Sequence, residues 1–262
     1  MKRGINTAFC GGGGSRLSSS SSAFTLAEVL VTLGIIGVVA SLTLPTLIHK
    51  HRNKVMETQF KTAYSLISRA TYQMYMEHEA DFVDFLHIPH GIGYMGGYRE
   101  RFIELVPDYL QVVETIDSAR LKNIKMYTSN NYVYDYRSDF AYGYGAYILN
   151  NGMLLTVSAV TSGHIIINVD TNGPYKGPNR YGYDLFKFYM CRNGKIIAPS
   201  EDDDYAANRP ENAFQSRCSF EGWRTNWSVQ GEQCSYWAIR DNFPPDKSTN
   251  YSIKKSYWKN LP

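Results

Sequence analysis

Between Phe24 and Ile48 the chain carries one formal charge, Glu28, in an otherwise uncharged and mainly apolar stretch. A helix needs roughly 20 such residues to cross a bilayer. The stretch is longer than the apolar core of a secretory signal, about 7–15 residues. It therefore predicts a membrane-spanning helix over residues 24–48. Beyond Thr46 the pattern turns amphipathic. Met56, Phe60, Ala63, Tyr64, Ile67, Ala70 and Met74 recur at spacings of three and four, while Lys50, Arg52, Lys54, Glu57, Lys61 and Arg69 fall between them. That is the stripe of a helix seated on a core. The two parts predict one helix over residues 24–80, a rod of roughly 80 Å. Pro45 lies inside it and predicts either a kink or the membrane exit, and Gly34 and Gly37 loosen the same region.

After residue 80 the period is lost. Residues 81–144 are rich in Tyr and Gly, with a short helix expected between Arg99 and Leu110 from the grouping of Phe102, Leu105 and Val106. Strand signals follow. Ala146–Leu149, Met153–Val160 and His164–Val169 are separated by the turns Asn150-Asn151-Gly152 and Thr161-Ser162-Gly163 and predict a meander. Leu185–Met190 and Lys195–Ala198, around Arg192-Asn193-Gly194, predict a further hairpin. The sheet is expected over residues 145–199, and residues 200–262 form a polar, aromatic loop region. The fold class is α+β: a long N-terminal helix on a small antiparallel sheet.

What precedes the apolar run has a different composition. Residues 1–23 hold Lys2, Arg3 and Arg16, no acid, and the tracts Gly11–Gly14 and Ser18–Ser22. Such tracts are flexible and build no core. The small residue Ala23 stands before the apolar run, so cleavage there would leave the run on the mature chain. A carboxylate within hydrocarbon costs at least ~2.5 kcal/mol, so Glu28 calls for a partner.

The residues Ala23-Phe24-Thr25-Leu26-Ala27-Glu28-Val29-Leu30 resemble the cleavage and methylation motif of type IV prepilins and type II secretion pseudopilins. Ala23 stands where that family usually has Gly. The resemblance implies removal of residues 1–23 by a prepilin peptidase, N-methylation of Phe24, and a role for Glu28 in assembly through the amine of a neighbouring subunit. It implies the pilin fold, with 81–144 as its variable connection, and a helix kink or local melting at Gly37 and Pro45. It also implies a single-pass protein of the bacterial inner membrane with its head in the periplasm. Its partners would be other pilin subunits, as homo- or hetero-oligomers, and an assembly platform and ATPase. The alternative is a periplasmic ligand-binding protein or enzyme on an uncleaved anchor.

The chain's net charge is +3, and without residues 1–23 it is near zero. That argues against general nucleic-acid binding. Four cysteines are present. Cys10 lies in the leader. Among Cys191, Cys218 and Cys234, a Cys218–Cys234 bond is expected to staple a loop poor in apolar residues, although spacing alone does not fix the pairing. Asp170, Asn172-Gly173, Gly177-Pro178-Asn179, Gly182, Asp184 and Phe186 resemble a segment common in Gram-negative pilin-like proteins. Their chemistry favours a tight turn, since Gly supplies positive φ and Asx side chains bond nearby backbone. Calcium held by the oxygens of Asp170, Asn172, Asn179 and Asp184 is the weaker reading, and no cofactor is otherwise expected. Glu201–Asp204 reads as a solvated loop. His87 and His90 flank Pro89, which disfavours helical metal-ligand geometry. No nucleophile elbow, phosphate loop or His-Glu-x-x-His occurs. The expectation is a structural subunit and not an enzyme.

Overall fold

The computed structural model describes residues 24–78, 96–133, 145–161, 164–191, 193–199, 218–220, 231–244 and 255–262. The leader with Ala23 and Cys10, His87, His90, Glu201–Asp204, Trp223, Trp227 and Tyr251 lie outside them. The chain divides into two compact units, Met1–Leu47 and Ile48–Pro262.

Helix α1 spans Leu26–Glu77, 52 residues with Pro45 inside. It is followed by α2 (Gly96–Tyr109), strand β1 (Val112–Thr115), the single turn α3 (Ser118–Leu121), and β2 (Gly145–Leu149). Then come β3 (Leu154–Thr161), β4 (His164–Asp170), β5 (Leu185–Met190), β6 (Ile196–Ile197) and α4 (Cys234–Ile239). The layout is α+β: one long N-terminal apolar helix and an antiparallel sheet.

All six strands form one sheet in the order β1-β2-β3-β4-β5-β6, every neighbour antiparallel. Within the single sheet expected over residues 145–199, the meander and the later hairpin are joined by β4 pairing with β5 from Ile165↔Met190 to Asp170↔Leu185. The difference from the sequence reading is that the sheet begins earlier, with β1 paired to β2 through an irregularity between Val112 and Glu114. Four residues at an edge are too short to show a period, which is why β1 escaped the pattern. The β4–β5 pairing spans a long connection whose register no local signal sets.

β5 is buried at every position, so both sheet faces are covered, and its sequence runs apolar where a half-exposed strand would alternate. On one face Leu155, Val157, Ile165, Ile167, Val169, Phe186, Phe188 and Met190 share a core with the α1 stripe. That stripe consists of Met56, Phe60, Ala63, Ile67, Ala70 and Met74, all buried, with Tyr64 half-buried beside it. Ala63 and Ala70 keep the contact close, and Phe60 fills the space between. Its ring centroid lies 4.4 Å from that of Phe186 and 5.2 Å from that of Trp258. The opposite face carries Ile116, Leu121, Ile124, Met126, Ala146, Leu154, Tyr181 and Leu185.

The C-terminal residues close the first core. Tyr257, Trp258 and Leu261 are buried in it. The Trp258 Nε1–H donates to the Ala238 carbonyl at 3.2 Å, and the Tyr257 hydroxyl to the Gly182 carbonyl at 2.6 Å. The buried Asn53 amide of α1 donates to the Leu261 carbonyl at 3.3 Å. Tyr257 and Trp258 are packing residues of this core. Cys218 and Cys234 are joined in a disulfide beside this core. Cys191, just after β5, is half-buried.

Candidate functional site

The first part of α1 is an apolar surface. Leu26, Leu30, Val31, Leu33, Ile35, Ile36, Val38, Leu42 and Leu47 are all more than half exposed. The helix is long and apolar enough to cross a membrane, and none of its most apolar window is buried. Exposure on this scale marks a surface made for lipid or for other protein. At Gly34 and Gly37 an added Cβ would meet nothing within 4 Å, so neither glycine is there for packing within the described residues. α1 continues through Pro45 without ending.

Glu28 has a partner in its own chain. Its Oε2 accepts from the Thr25 backbone N–H at 2.8 Å and from the Thr25 hydroxyl at 2.8 Å. In return the Glu28 N–H donates to Thr25 Oγ1 at 3.2 Å. This is a capping box, with Thr25 as N-cap and Glu28 three residues on, each satisfying an orphan donor of the first turn. Sequence reading singled out Glu28 for a neighbour's amine and missed Thr25. The signal was present as Thr-x-x-Glu before an apolar run. The partner of the acid does not have to come from outside, at least for Oε2.

A second polar cluster sits on the connection between β4 and β5, residues 171–184. Asp170 ends β4 and Asp184 precedes β5. Both are wholly buried, and the Thr171 N–H to Asp184 carbonyl bond, 2.8 Å, extends the ladder between them. Asp170 Oδ1 accepts from the N–H groups of Asn172 and Gly173 at 3.2 and 2.9 Å, an Asx turn. Gly173 has φ +91°, and a Cβ there would drive into the Gly152 carbonyl oxygen of the β2–β3 turn. The Asp184 carboxylate accepts from the N–H groups of Asn179 at 2.8 Å and Arg180 at 2.6 Å. Asn172 Nδ2 donates to the Gly177 carbonyl at 2.9 Å. Asn179 Nδ2 donates to the Pro174 carbonyl at 2.8 Å and the Lys125 carbonyl at 3.2 Å. The Gly177–Pro178 peptide is cis.

The structure thus brings the predicted Asp170, Asn172, Asn179 and Asp184 into one loop, and the tight turn is there. Burial, and then the charge of Asp184, push the Asp170 carboxyl well above its ordinary range. Burial raises Asp184 too, against hydrogen bonds from the Arg180 and Asn179 backbone and the Asn172 side chain that lower it. Four shielded oxygens on this loop receive no hydrogen bond: Asp170 Oδ2, Thr171 Oγ1, Asn172 Oδ1 and Asn179 Oδ1. Among the described residues, no three His, Cys, Asp or Glu side chains gather as a metal centre would require of those types alone. Neutral oxygens are what this loop adds to its two acids.

Elsewhere the polar contacts tie elements together. The Tyr109 hydroxyl of α2 donates to Glu77 at 2.5 Å and meets His78 Nε2 at 3.0 Å, where α1 ends. Burial and the Glu77 carboxylate push Tyr109 up to about 12, so its proton stays in place at neutral pH. Lys187 of β5 is buried and lies 2.9 Å from Glu232. Comparison with protein-family models, with curated proteins and with solved structures finds no match to this chain.

Proposed function

We propose that this chain is a pilin or pseudopilin subunit, processed by a prepilin peptidase and polymerised into a type IV pilus-like or type II secretion pseudopilus filament. The observation that carries the reading is the division of α1. From Leu26 to Ile48 the helix exposes apolar side chains all round, while from Asn53 to Met74 one stripe is buried on a sheet. A subunit that polymerises through its helix needs this arrangement, with the first part free for lipid and then for neighbours, and the second committed to its own head. In this reading the precursor sits in a Gram-negative inner membrane with residues 48–262 in the periplasm. A platform protein and an ATPase supply the work of extraction. The oxidising periplasm suits the Cys218–Cys234 bond.

Mass spectrometry of the N-terminus of native material tests this. The expected terminus is N-methylated Phe24. Material that keeps Met1 and stays monomeric would instead favour a periplasmic binding protein or enzyme on an uncleaved anchor. The second arm is a variant series at the first turn. Glu28→Gln keeps the acceptor oxygen that a capping box uses but has no charge, whereas Thr25→Ala removes the cap and keeps the charge. A subunit that pairs Glu28 with a neighbour's amine should be processed as Glu28→Gln yet fail to form filaments. Filaments from Glu28→Gln at the wild-type level would overturn the charge pairing.

A further inference from the structure

We infer that the turn of α1 directly after the apolar run is a binding surface for anionic phospholipid headgroups, with Lys50 and Arg52 as its phosphate contacts and Glu57 as the acid that withholds Lys54 from it. The inference rests on the reading that α1 spans a bilayer before Ile48, and not on processing or polymerisation.

Composition is the first support. The segment His49-Lys50-His51-Arg52-Asn53-Lys54 follows the apolar run with no residue between, and five of its six side chains are basic types. From His49 to Lys61 four Lys and Arg residues stand against one acid, Glu57. Cations grouped beside a span are drawn to anionic lipid. On this side of the span they also carry a cost. Lys50, Arg52 and Lys54 after the run match Lys2, Arg3 and Arg16 before it, so they work against an orientation that exports the sheet. Headgroup phosphates on the exported side would offset that cost.

Burial is the second support. α1 is exposed at every position from Ile48 to Arg52, and its buried stripe starts at Asn53. The sheet therefore covers no side of the helix where Lys50 and Arg52 stand. Long basic side chains lay their stems on apolar surface and carry the charge to the interface. By helix rise, Lys50, Arg52 and Lys54 lie about 3, 6 and 9 Å beyond Ile48. The headgroup layer is roughly 5–7 Å deep on each side of a bilayer. Lys61, about 20 Å out, lies more than two screening lengths away.

Pairing is the third support, and it decides which cations are available. Lys54 Nζ lies 3.0 Å from Glu57 Oε2, and Lys61 Nζ lies 2.5 Å from Glu57 Oε1. The Lys61 bond above all holds Glu57 below the usual carboxylate range, so it stays anionic. Lys50 meets no acid among the described residues. Arg52 lies 5.9 Å from the Tyr183 ring centroid, and Arg180 lies 4.3 Å from the same centroid. That contact brings Arg52 a like charge and not a neutralising one. Free phosphate would match the charge of Lys50 and Arg52, but only a headgroup is held beside the end of an apolar run by its own acyl chains.

The test uses the full chain in liposomes of mixed phosphatidylcholine and phosphatidylglycerol. Electron paramagnetic resonance of spin-labelled forms of each lipid gives their relative association with the protein. The wild type is expected to prefer phosphatidylglycerol by about 5-fold or more, and to lose the preference in about 1 M salt. The double variant Lys50→Gln with Arg52→Gln should lower the preference at least about 3-fold. Glu57→Gln should raise it about 2-fold or more, because it frees Lys54. Arg69→Gln, about 30 Å along the helix, should change nothing. The cations of residues 1–23 are common to all these proteins and cancel in the ratios. Carbonate extraction of the same liposomes reads insertion separately. A protein released by carbonate would refute the spanning helix and the lipid surface with it. A protein that stays inserted, yet shows the same preference in wild type and double variant, would overturn the lipid surface alone. Loss of the preference on adding soluble glycerol phosphate would assign the cations to free phosphate and overturn it equally.

Discussion

Truncation of Trp258 is the sharpest probe of how the C-terminal residues hold α1 to the sheet. The indole is 2 % exposed. Its ring centroid lies 5.2 Å from Phe60 of α1, 6.0 Å from Phe186 of β5 and 5.0 Å from Tyr257. It is a wedge between the helix and the strand. Trp258→Ala removes the wedge, and the surroundings cannot collapse fully because α1 is also held in the same core by Met56 and Ala63. Burying-to-cavity changes of this size cost about 3–5 kcal/mol. Loss of the Nε1–H bond leaves the Ala238 carbonyl without that donor, for about 1 kcal/mol more.

A total of about 4–6 kcal/mol stands against a usual stability of about 5–15 kcal/mol. For a unit of this size each kcal/mol moves the melting temperature by about 2–4 °C, so a fall of roughly 10–20 °C is expected. Circular dichroism melts of the full chain in detergent, with urea titration alongside, would measure it. Trp258→Phe keeps a ring against Phe60 and Phe186 and loses the indole donor, so it should cost only about 1–2 kcal/mol. A Trp258→Ala protein within 1 kcal/mol of wild type, roughly the scale of a surface change, would refute the argument that the chain's end seals this core.

Two further outcomes follow from particular contacts. Gly173→Ala should destabilise by more than about 2 kcal/mol, because both its φ of +91° and the nearby Gly152 carbonyl oppose a side chain; Gly152→Ala, at φ +83° with open space around it, should cost only about 1 kcal/mol. Urea midpoints of the two variants compared side by side decide this. Lys187→Met should cost about 3–5 kcal/mol, because it removes the ammonium beside the mostly buried Glu232 carboxylate, and adding Glu232→Gln should return a good part of that loss. A double-mutant cycle on unfolding free energy measures the coupling, and strict additivity would refute it.

The α1 stripe was legible from its period, and strands β2 to β5 as short, mainly apolar runs set off by turn residues, as at Asn150-Asn151-Gly152. β1 was not, since Val112–Thr115 is too short to carry a period and becomes a strand only by lying against β2. Nor was α4, whose six residues rest on β5 through the Ser235 hydroxyl bond to the Lys187 carbonyl at 2.7 Å. The meeting of Trp258 with Phe60 joins distant parts of the chain, and nothing in either neighbourhood announces it. At the β4–β5 connection the residue types were visible and the turn chemistry was right. Which oxygens would be left over was not visible, because that depends on where each donor goes. Ile48 to Met74 was read by its period, and the residues before it by composition alone, and the two readings meet in one continuous helix.

The capping box changes what Glu28 can do for assembly. Both bonds from Thr25 fall on Oε2, which leaves Oε1 able to face a second donor. An incoming ammonium would therefore add to the box and need not break it. The box also fixes the carboxylate at the first turn of α1, so a neighbour's amine meets a held group and not a flexible one, and less freedom is lost when the two pair. In the proposed filament, charge and cap would act in series: the cap would set where the acid is, and the acid which neighbour fits. This makes Thr25→Ala more than a control. If the two act in series, Thr25→Ala should lower filament yield although the charge is intact, and Glu28→Gln should lower it although the cap acceptor is intact. An anchor that merely caps its helix would show neither loss with Glu28→Gln, since glutamine serves the cap as well.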